Sequence, residues 1–242
     1  MKVGIIGFGR LGSLISKYMS QDFTLLVHDL HDYSSEIEKI GATPATFEEA
    51  CDCPIVIPFV PMSEFENCIK KMAPLLKKET LLVDVCSVKE MPVDIMMKHL
   101  SKDIQILATH PMFGPDSAKD TLFGTKIAVC PVRIDQELYN KISTYLRSHG
   151  IKTIESTPEE HDKQIANTLV LTHLIGRSLI DFDAHRLEID TKGYRRLLKI
   201  LETVENDSWQ LFEDMNKYNR HAKETRETFL HSLKGVISRL EN

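Results

Sequence analysis

A strand-like run, Val3-Gly4-Ile5-Ile6, leads straight into Gly7-Phe8-Gly9-Arg10-Leu11-Gly12, and a helical stretch follows to Met19. Three glycines at this spacing, between a strand and a helix, sharply limit what can be built here. The first allows a tight turn. The second lets backbone approach a pyrophosphate, and the third lets the helix pack closely on the strand. The helix N-terminus then offers free N–H groups and the positive end of its dipole to phosphates. A second run, Thr24–Val27, is soon followed by Asp29, where this fingerprint wants an acceptor for a ribose 2′-hydroxyl. The expected cofactor-binding set is therefore Gly7, Phe8, Gly9, Arg10, Leu11, Gly12 and Asp29. A carboxylate at position 29 repels a 2′-phosphate, and the continuation Leu30-His31-Asp32 brings no arginine. That favours NAD; His28 and His31 soften the preference and leave NADP open.

The pattern of the opening continues. Val3–Ile6, Thr24–Val27, Ile55–Phe59, Leu81–Val85, Ile104–Ala108, Lys126–Cys130 and Lys152–Ile154 are short runs rich in Val, Ile and Leu. Amphipathic stretches separate them. Strands apolar on both faces and alternating with helices belong to a sheet covered on both sides. The expected fold class is α/β, with an N-terminal Rossmann-type doubly wound, mostly parallel sheet over residues 1–155.

Residues 156–242 read differently, as an all-helical domain. Thr157, Pro158 and Glu160 form a helix start: a cap, a proline at the first helical position and a capping-box glutamate. A long helix should follow, with Ile165, Leu169, His173 and Arg177 at four-residue steps. Ile189–Gly193 reads as a loop. Asn206, Asp207 and Ser208 offer caps for a last helix. Its apolar stripe includes Leu211, Met215, Tyr218, Ala222, Phe229, Leu233, Val236 and Leu240, at steps of three and four. So short a helical tail can hardly bury several such stripes alone, so a homodimer through these helices is expected.

Composition sets the outer limits. The chain has 242 residues, 42% hydrophobic and 27% charged, with a formal net charge of −5. There is no basic face for nucleic acid. No apolar run is long enough for a membrane span, and the N-terminus carries no leader pattern. Cys51 and Cys53 are too close for a zinc-finger spacing and have no matching downstream pair, so no metal site is expected. Five cysteines, an odd number, read as reduced thiols of a cytoplasmic protein.

Ligands in such sheets sit beyond the carboxyl ends of the strands. Two segments fall there: Cys86-Ser87-Val88-Lys89 and Thr109-His110-Pro111-Met112-Phe113-Gly114-Pro115-Asp116-Ser117-Ala118. A histidine at a strand end, braced by prolines and a glycine, suits proton transfer at neutral pH. Ser87 either caps the following helix or orients the histidine or a substrate hydroxyl.

These segments, with Asp84-Val-Cys-Ser87-Val-Lys89 and Glu160-His-Asp-Lys163, resemble the prephenate/arogenate dehydrogenase family, most of all its plant-type arogenate members. Thr172-His-Leu-Ile-Gly-Arg-Ser-Leu179, Ile189-Asp-Thr-Lys-Gly-Tyr194 and Asp207-Ser-Trp-Gln-Leu-Phe212 extend the resemblance to about residue 220. It implies an oxidative decarboxylation on the route to tyrosine. A cyclohexadiene with a ring carboxylate and a 4-hydroxyl gives up hydride from C4 to the nicotinamide. Loss of CO₂ then restores aromaticity. The resemblance makes His110 and Ser87 catalytic, His110 accepting the hydroxyl proton, and adds Ser87 to the cofactor-binding set by placing it beside the nicotinamide. It makes His173, Ser117, Asp207 and Arg177 substrate-binding. Arogenate carries an ammonium where prephenate has a keto oxygen, and a carboxylate in the pocket favours the ammonium. Asp207 matches the position where plant-type members pair an aspartate with arogenate preference; its other reading is a helix cap. Asp116 is a second candidate, or a turn residue. Plant-type members commonly carry glutamine one turn before the substrate histidine, where this chain has Leu169, which relaxes the expected selectivity to arogenate first and prephenate second. Arg177 reads either as a carboxylate partner or as a surface arginine. No appended regulatory or mutase domain is expected.

Two other classes are compatible with the same plan. A β-hydroxyacid dehydrogenase or reductase would use a helical lysine and an asparagine four residues on, the spacing of Lys163 and Asn167. A non-catalytic nucleotide-binding dimer would keep the glycine loop alone.

Overall fold

A computed structural model describes residues 1–241. They fall into two compact units, Met1–Pro158 and a helical unit that begins at Glu159. In the first unit, β1 (Lys2–Ile6), β2 (Thr24–His28), β3 (Thr43–Pro44), β4 (Ile55–Pro58), β5 (Leu81–Asp84), β6 (Gln105–Pro111), β7 (Lys126–Arg133) and β8 (Lys152–Glu155) form one sheet. Their order is β3-β2-β1-β4-β5-β6-β7-β8. Every expected run becomes a strand. The short edge strand β3 has too few residues to announce itself by pattern. All pairs are parallel except β6 with β7. Parallel neighbours need a crossover, usually a helix, whereas antiparallel neighbours do not. The segment 112–125 between β6 and β7 holds Pro115 and two glycines, builds no helix, and returns the chain antiparallel.

Both faces of the sheet are covered. Val3, Ile5, Leu25, Val27, Ile37 and Ile57 form one buried cluster, and Leu81, Leu107 and Val129 another, with Leu138 and Ile142 packed on it. The covering helices are α1 (Arg10–Met19), α2 (Ser34–Lys39), α3 (Phe47–Cys51), α4 (Met62–Met72), α5 (Glu90–His99) and α6 (Gln136–Ser148). Their ends follow local chemistry. Thr46 and Glu49 make a reciprocal capping box on α3, and Asp135 accepts from the Glu137 and Leu138 N–H groups to start α6.

The helical unit departs from the sequence reading in three places. Pro158 opens α7 (Pro158–Ile165) as expected, but the long helix is interrupted by a π turn at Ala166–Val170 before α8 (Leu171–Asp181). Asn167 Nδ2 and Thr168 Oγ1 donate to the carbonyls of Lys163 and Gln164, so side chains cover carbonyls that the wider turn leaves short of partners. Second, the expected loop at Ile189–Gly193 ends early. Thr191 caps α9 (Lys192–Val204), accepting from the Tyr194 N–H. Third, the last helix is two helices, α10 (Trp209–Tyr218) and α11 (Ala222–Ser238). Asn219 stops the first helix as its C-cap. Its side chain donates to the Asp162 carbonyl and accepts from the His221 N–H. Among the described residues no helix is long and apolar enough to cross a membrane.

Candidate active site

The glycine loop takes the shape its spacing asks for. Gly7 sits at φ +101°, and a Cβ there would lie 2.3 Å from the Phe59 carbonyl oxygen. A Cβ on Gly12 would lie 2.3 Å from the Gly7 oxygen, whereas one on Gly9 would meet nothing within 4 Å. Gly9 is the N-cap of α1 and has no side chain to occupy the helix's first N–H groups. Open space above an uncapped helix N-terminus fits a pyrophosphate. Phe8 is buried and tilted against Tyr33, with ring centroids 5.8 Å apart, and Leu11 is half-buried on α1.

Asp29, just past the end of β2, ties this loop down. Its Oδ2 accepts from the Phe8 N–H at 2.6 Å and its Oδ1 from the His31 N–H at 2.8 Å. Each oxygen keeps a lone pair for a ribose hydroxyl. The carboxylate lines a cavity of about 270 Å³ together with His31, Asp32, Tyr33 and Pro44. His28 is turned to the Ala45 carbonyl and packs edge-on against Phe47. Arg10 reaches the other way, with Nη2 2.9 Å from both oxygens of Asp116. Asp116 sits in a turn, as expected, and from there ties its loop to the start of α1. Tyr18 reinforces the tie by donating to the Ala118 carbonyl.

Ser87 and His110 lie at the carboxyl edge of the sheet. His110, 5% exposed, is the penultimate residue of β6 and faces Ala128 across the antiparallel pair. Ser87 is half-buried in the turn between β5 and α5. It does not cap the helix, because α5 begins at Glu90 with Lys89 at the N-cap. A buried clamp holds both segments. Lys89 Nζ donates to Asp84 Oδ2 and to the Thr109 carbonyl, each at 2.5 Å, and Thr109 Oγ1 donates to the Asp84 carbonyl at 2.7 Å. Lys89 and Asp84 are both fully buried. Burial pushes the Asp84 carboxyl up, and the ammonium beside it opposes that shift. The clamp fixes the residue before His110 and the turn that carries Ser87. The sequence reading missed it. The only signal was two opposite charges five residues apart in an otherwise apolar run.

Ser117 is engaged within its own turn, accepting from the Gly114 N–H at 3.0 Å and donating to the Gly114 carbonyl at 3.1 Å.

The helical unit gathers the other predicted residues. His173 on α8 is buried, and its Nε2 lies 3.6 Å from Asp207 Oδ2. Its ring is parallel to that of Phe212, and its buried Nδ1 has no hydrogen-bond partner among the described residues. Burial holds His173 below the usual histidine value; Asp207 pulls it up and Arg177 pushes it down. Asp207 is not the cap of α10. Ser208 is, accepting from the Leu211 N–H. Arg177 is not a loose surface arginine, since its guanidinium donates to the carbonyls of Asp207 and Ser208 and lies over the Trp209 ring. Trp209 belongs to the Asp207–Phe212 segment that carried the resemblance, where no role was given to it. Lys163 pairs with Glu159 at 2.5 Å, and the Asn167 side chain donates to the Lys163 carbonyl.

Residues 29–155 match the family described as prephenate dehydrogenase, nucleotide-binding domain. The chain belongs to the prephenate dehydrogenase family. The match takes in Asp29, Ser87, Lys89 and His110 and begins after the glycine loop. Residues 178–242 match a second description, TYRAAT1-like, C-terminal domain. Among curated proteins, arogenate dehydrogenases 1 and 2 of Arabidopsis thaliana, both chloroplastic, are each 34% identical to this chain over 95% and 94% of its length. The chain spans 37% and 66% of those two proteins. A solved prephenate dehydrogenase from A. aeolicus, in complex with hydroxyphenyl propionate and NAD⁺, shares the fold at a TM-score of 0.77. That likeness covers 100% of this chain and 92% of the other at 20% identity. The prephenate dehydrogenase family thus accounts for the sheet order and the helical unit together.

Proposed function

We propose that this protein catalyses the NAD-dependent oxidative decarboxylation of arogenate, with prephenate as a second substrate. The observation that carries the reading is His110, buried at the sheet edge and held by the Asp84–Lys89–Thr109 clamp in the same unit as a dinucleotide cradle. A nicotinamide held at this cradle would supply the acceptor for the C4 hydride. His110 accepts the proton of the 4-hydroxyl as the carbonyl forms. Ser87 orients the hydroxyl or the imidazole. Gly9 and the uncapped start of α1 take the pyrophosphate, and Asp29 takes the ribose.

In the helical unit, His173 and Asp207 suit the substrate side chain. Asp207 Oδ2 is an acceptor for an ammonium, which favours arogenate over the keto acid. Arg177 fixes the Asp207 backbone and lends positive charge nearby; Ser117 would meet substrate with the hydroxyl that now bonds to Gly114. Leu230, Leu233, Val236 and Ile237 lie exposed along α11 and Leu240 just beyond it, which supports a homodimer formed through these helices. Five free cysteines support a reducing, cytoplasmic setting. The β-hydroxyacid alternative is less well served, because Lys163 pairs with Glu159 and the Asn167 side chain bonds to the Lys163 carbonyl and to Thr225 of α11.

The test is steady-state turnover of arogenate and prephenate with NAD⁺ and NADP⁺, reading reduced cofactor. His110→Ala should abolish turnover and Lys163→Ala should retain it. The opposite pattern supports the hydroxyacid reading, and binding of NADH without turnover of either substrate supports the non-catalytic one.

A further inference from the structure

Gly176 lies three residues after His173 and is buried in the middle of α8. Glycine there is less favourable than alanine to a helix by about 1 kcal/mol, so a close approach has to explain it. The approach is that of the end of α9. A Cβ on Gly176 would lie 2.5 Å from Val204 Cγ2, 3.3 Å from Val204 Cγ1 and 3.2 Å from the Ile200 carbonyl oxygen. Val204 is the last residue of α9 and is 1% exposed. Its carbonyl accepts from the Asp207 N–H at 3.2 Å. The residue that seats on Gly176 therefore also ties down the bend that carries Asp207. Arg177, the next residue of α8, holds the same bend by donating to the Asp207 and Ser208 carbonyls. A closed circuit results. His173 and Gly176 stand on one helix, Val204 and Asp207 on the segment packed against it, and His173 Nε2 and Asp207 Oδ2 meet at 3.6 Å.

We propose that Gly176 is a specificity-determining positioning residue: by letting Val204 seat directly on α8, it sets the spacing between His173 and Asp207, and with it the preference for an ammonium over a keto oxygen in the substrate side chain. The attraction of a carboxylate for a cation falls with distance, so a bend pushed outward by one methyl group loses part of it. Gly176 has no side chain to offer substrate and acts only through Val204 and Asp207. Its bearing on selectivity rests on the reaction proposed above; its bearing on the spacing does not.

The test uses the intact protein and two readouts: NMR titration of the His173 ring, and the ratio of kcat/KM for arogenate to that for prephenate. Gly176→Ala adds the colliding methyl while favouring the helix itself. It should lower the His173 pKa, because Asp207 is the group that raises it. It should also cut the substrate ratio by about fivefold, part of what one charge-assisted hydrogen bond supplies. NADH affinity should stay at the wild-type value. Gly176→Ala combined with Val204→Ala makes room for the methyl and should restore both readouts. Val204→Ile crowds the same contact from α9 and should act in the direction of Gly176→Ala; it decides the matter where Gly176→Ala folds too poorly to assay. A folded Gly176→Ala with wild-type titration and ratio overturns the inference, as does a shift that Val204→Ala fails to reverse. So does a Val204→Ile without effect where Gly176→Ala does not fold. A wild-type protein that turns over neither substrate overturns the proposed reaction and the selectivity with it, whereas the titration still decides the spacing.

Discussion

His173 Nε2 lies 3.6 Å from Asp207 Oδ2, with His173 on α8 and Asp207 in the bend between α9 and α10. The gap is slightly wide for a direct hydrogen bond, and His173 Nδ1 is buried without a hydrogen-bond partner among the described residues. Asp207 raises the His173 pKa against the effect of burial. Asp207→Asn should therefore lower it further, as read by NMR titration of the ring. On the proposed function, the same variant should lose about tenfold or more in kcat/KM for arogenate, the scale of one charge-assisted hydrogen bond. Prephenate should lose less. A clear wild-type preference for prephenate would remove Asp207 from the selectivity argument.

The same histidine ties stability to pH. Burial depresses its folded-state pKa below the ordinary value of 6.5. As pH falls through about 6.5, the unfolded chain takes up a proton that the folded chain resists. Stability contributed by the neutral ring is present above that point, declines on acidification, and levels off once the folded ring is also protonated. Urea midpoints between pH 8 and pH 5 should show a decline that is shallower in His173→Gln.

The Asp84–Lys89 pair predicts a different kind of sensitivity. Removing one partner leaves a charge in a site with no solvent, a loss of about 3–5 kcal/mol. Lys89→Met should show it in chemical denaturation. Asp84→Leu combined with Lys89→Met should recover much of that loss, because two apolar side chains carry no desolvation penalty. A single Lys89→Met variant as stable as wild type would mean that the pair is not buried as described.

Gly9 and Gly12 should separate folding from binding. A methyl on Gly12 collides with the Gly7 carbonyl, and one on Gly9 enters open space. Gly12→Ala should lower the melting temperature. Gly9→Ala should fold normally and lose NADH affinity, because its methyl stands where the pyrophosphate approaches. Calorimetry and NADH titration on the two variants check this; equal effects on stability would contradict it.

Much of the first unit was legible from residues alone. Strands apolar on both faces, and glycines at a spacing only a few turns permit, are local signals. Asp29 and His110 could be placed because each falls at the carboxyl end of a strand. The clamp was not legible, because a buried lysine looks like any other lysine until its surroundings are known. Arg10 and Asp116 are likewise far apart in sequence and meet only through the fold. In the helical unit, the periodic stripe was visible but its break was not. Asn219 ends α10 through a bond to Asp162, a partner on α7 that periodicity cannot reveal.

The sequence by itself determined the sheet, the glycine cradle and the residue types available for proton transfer, because these depend on short-range periodicity and backbone sterics. Only the tertiary structure decided which charges meet: Lys89 with Asp84 and Thr109, Arg10 with Asp116, His173 with Asp207. Those choices depend on distance and desolvation between residues remote along the chain or buried around a turn, and no local pattern encodes them.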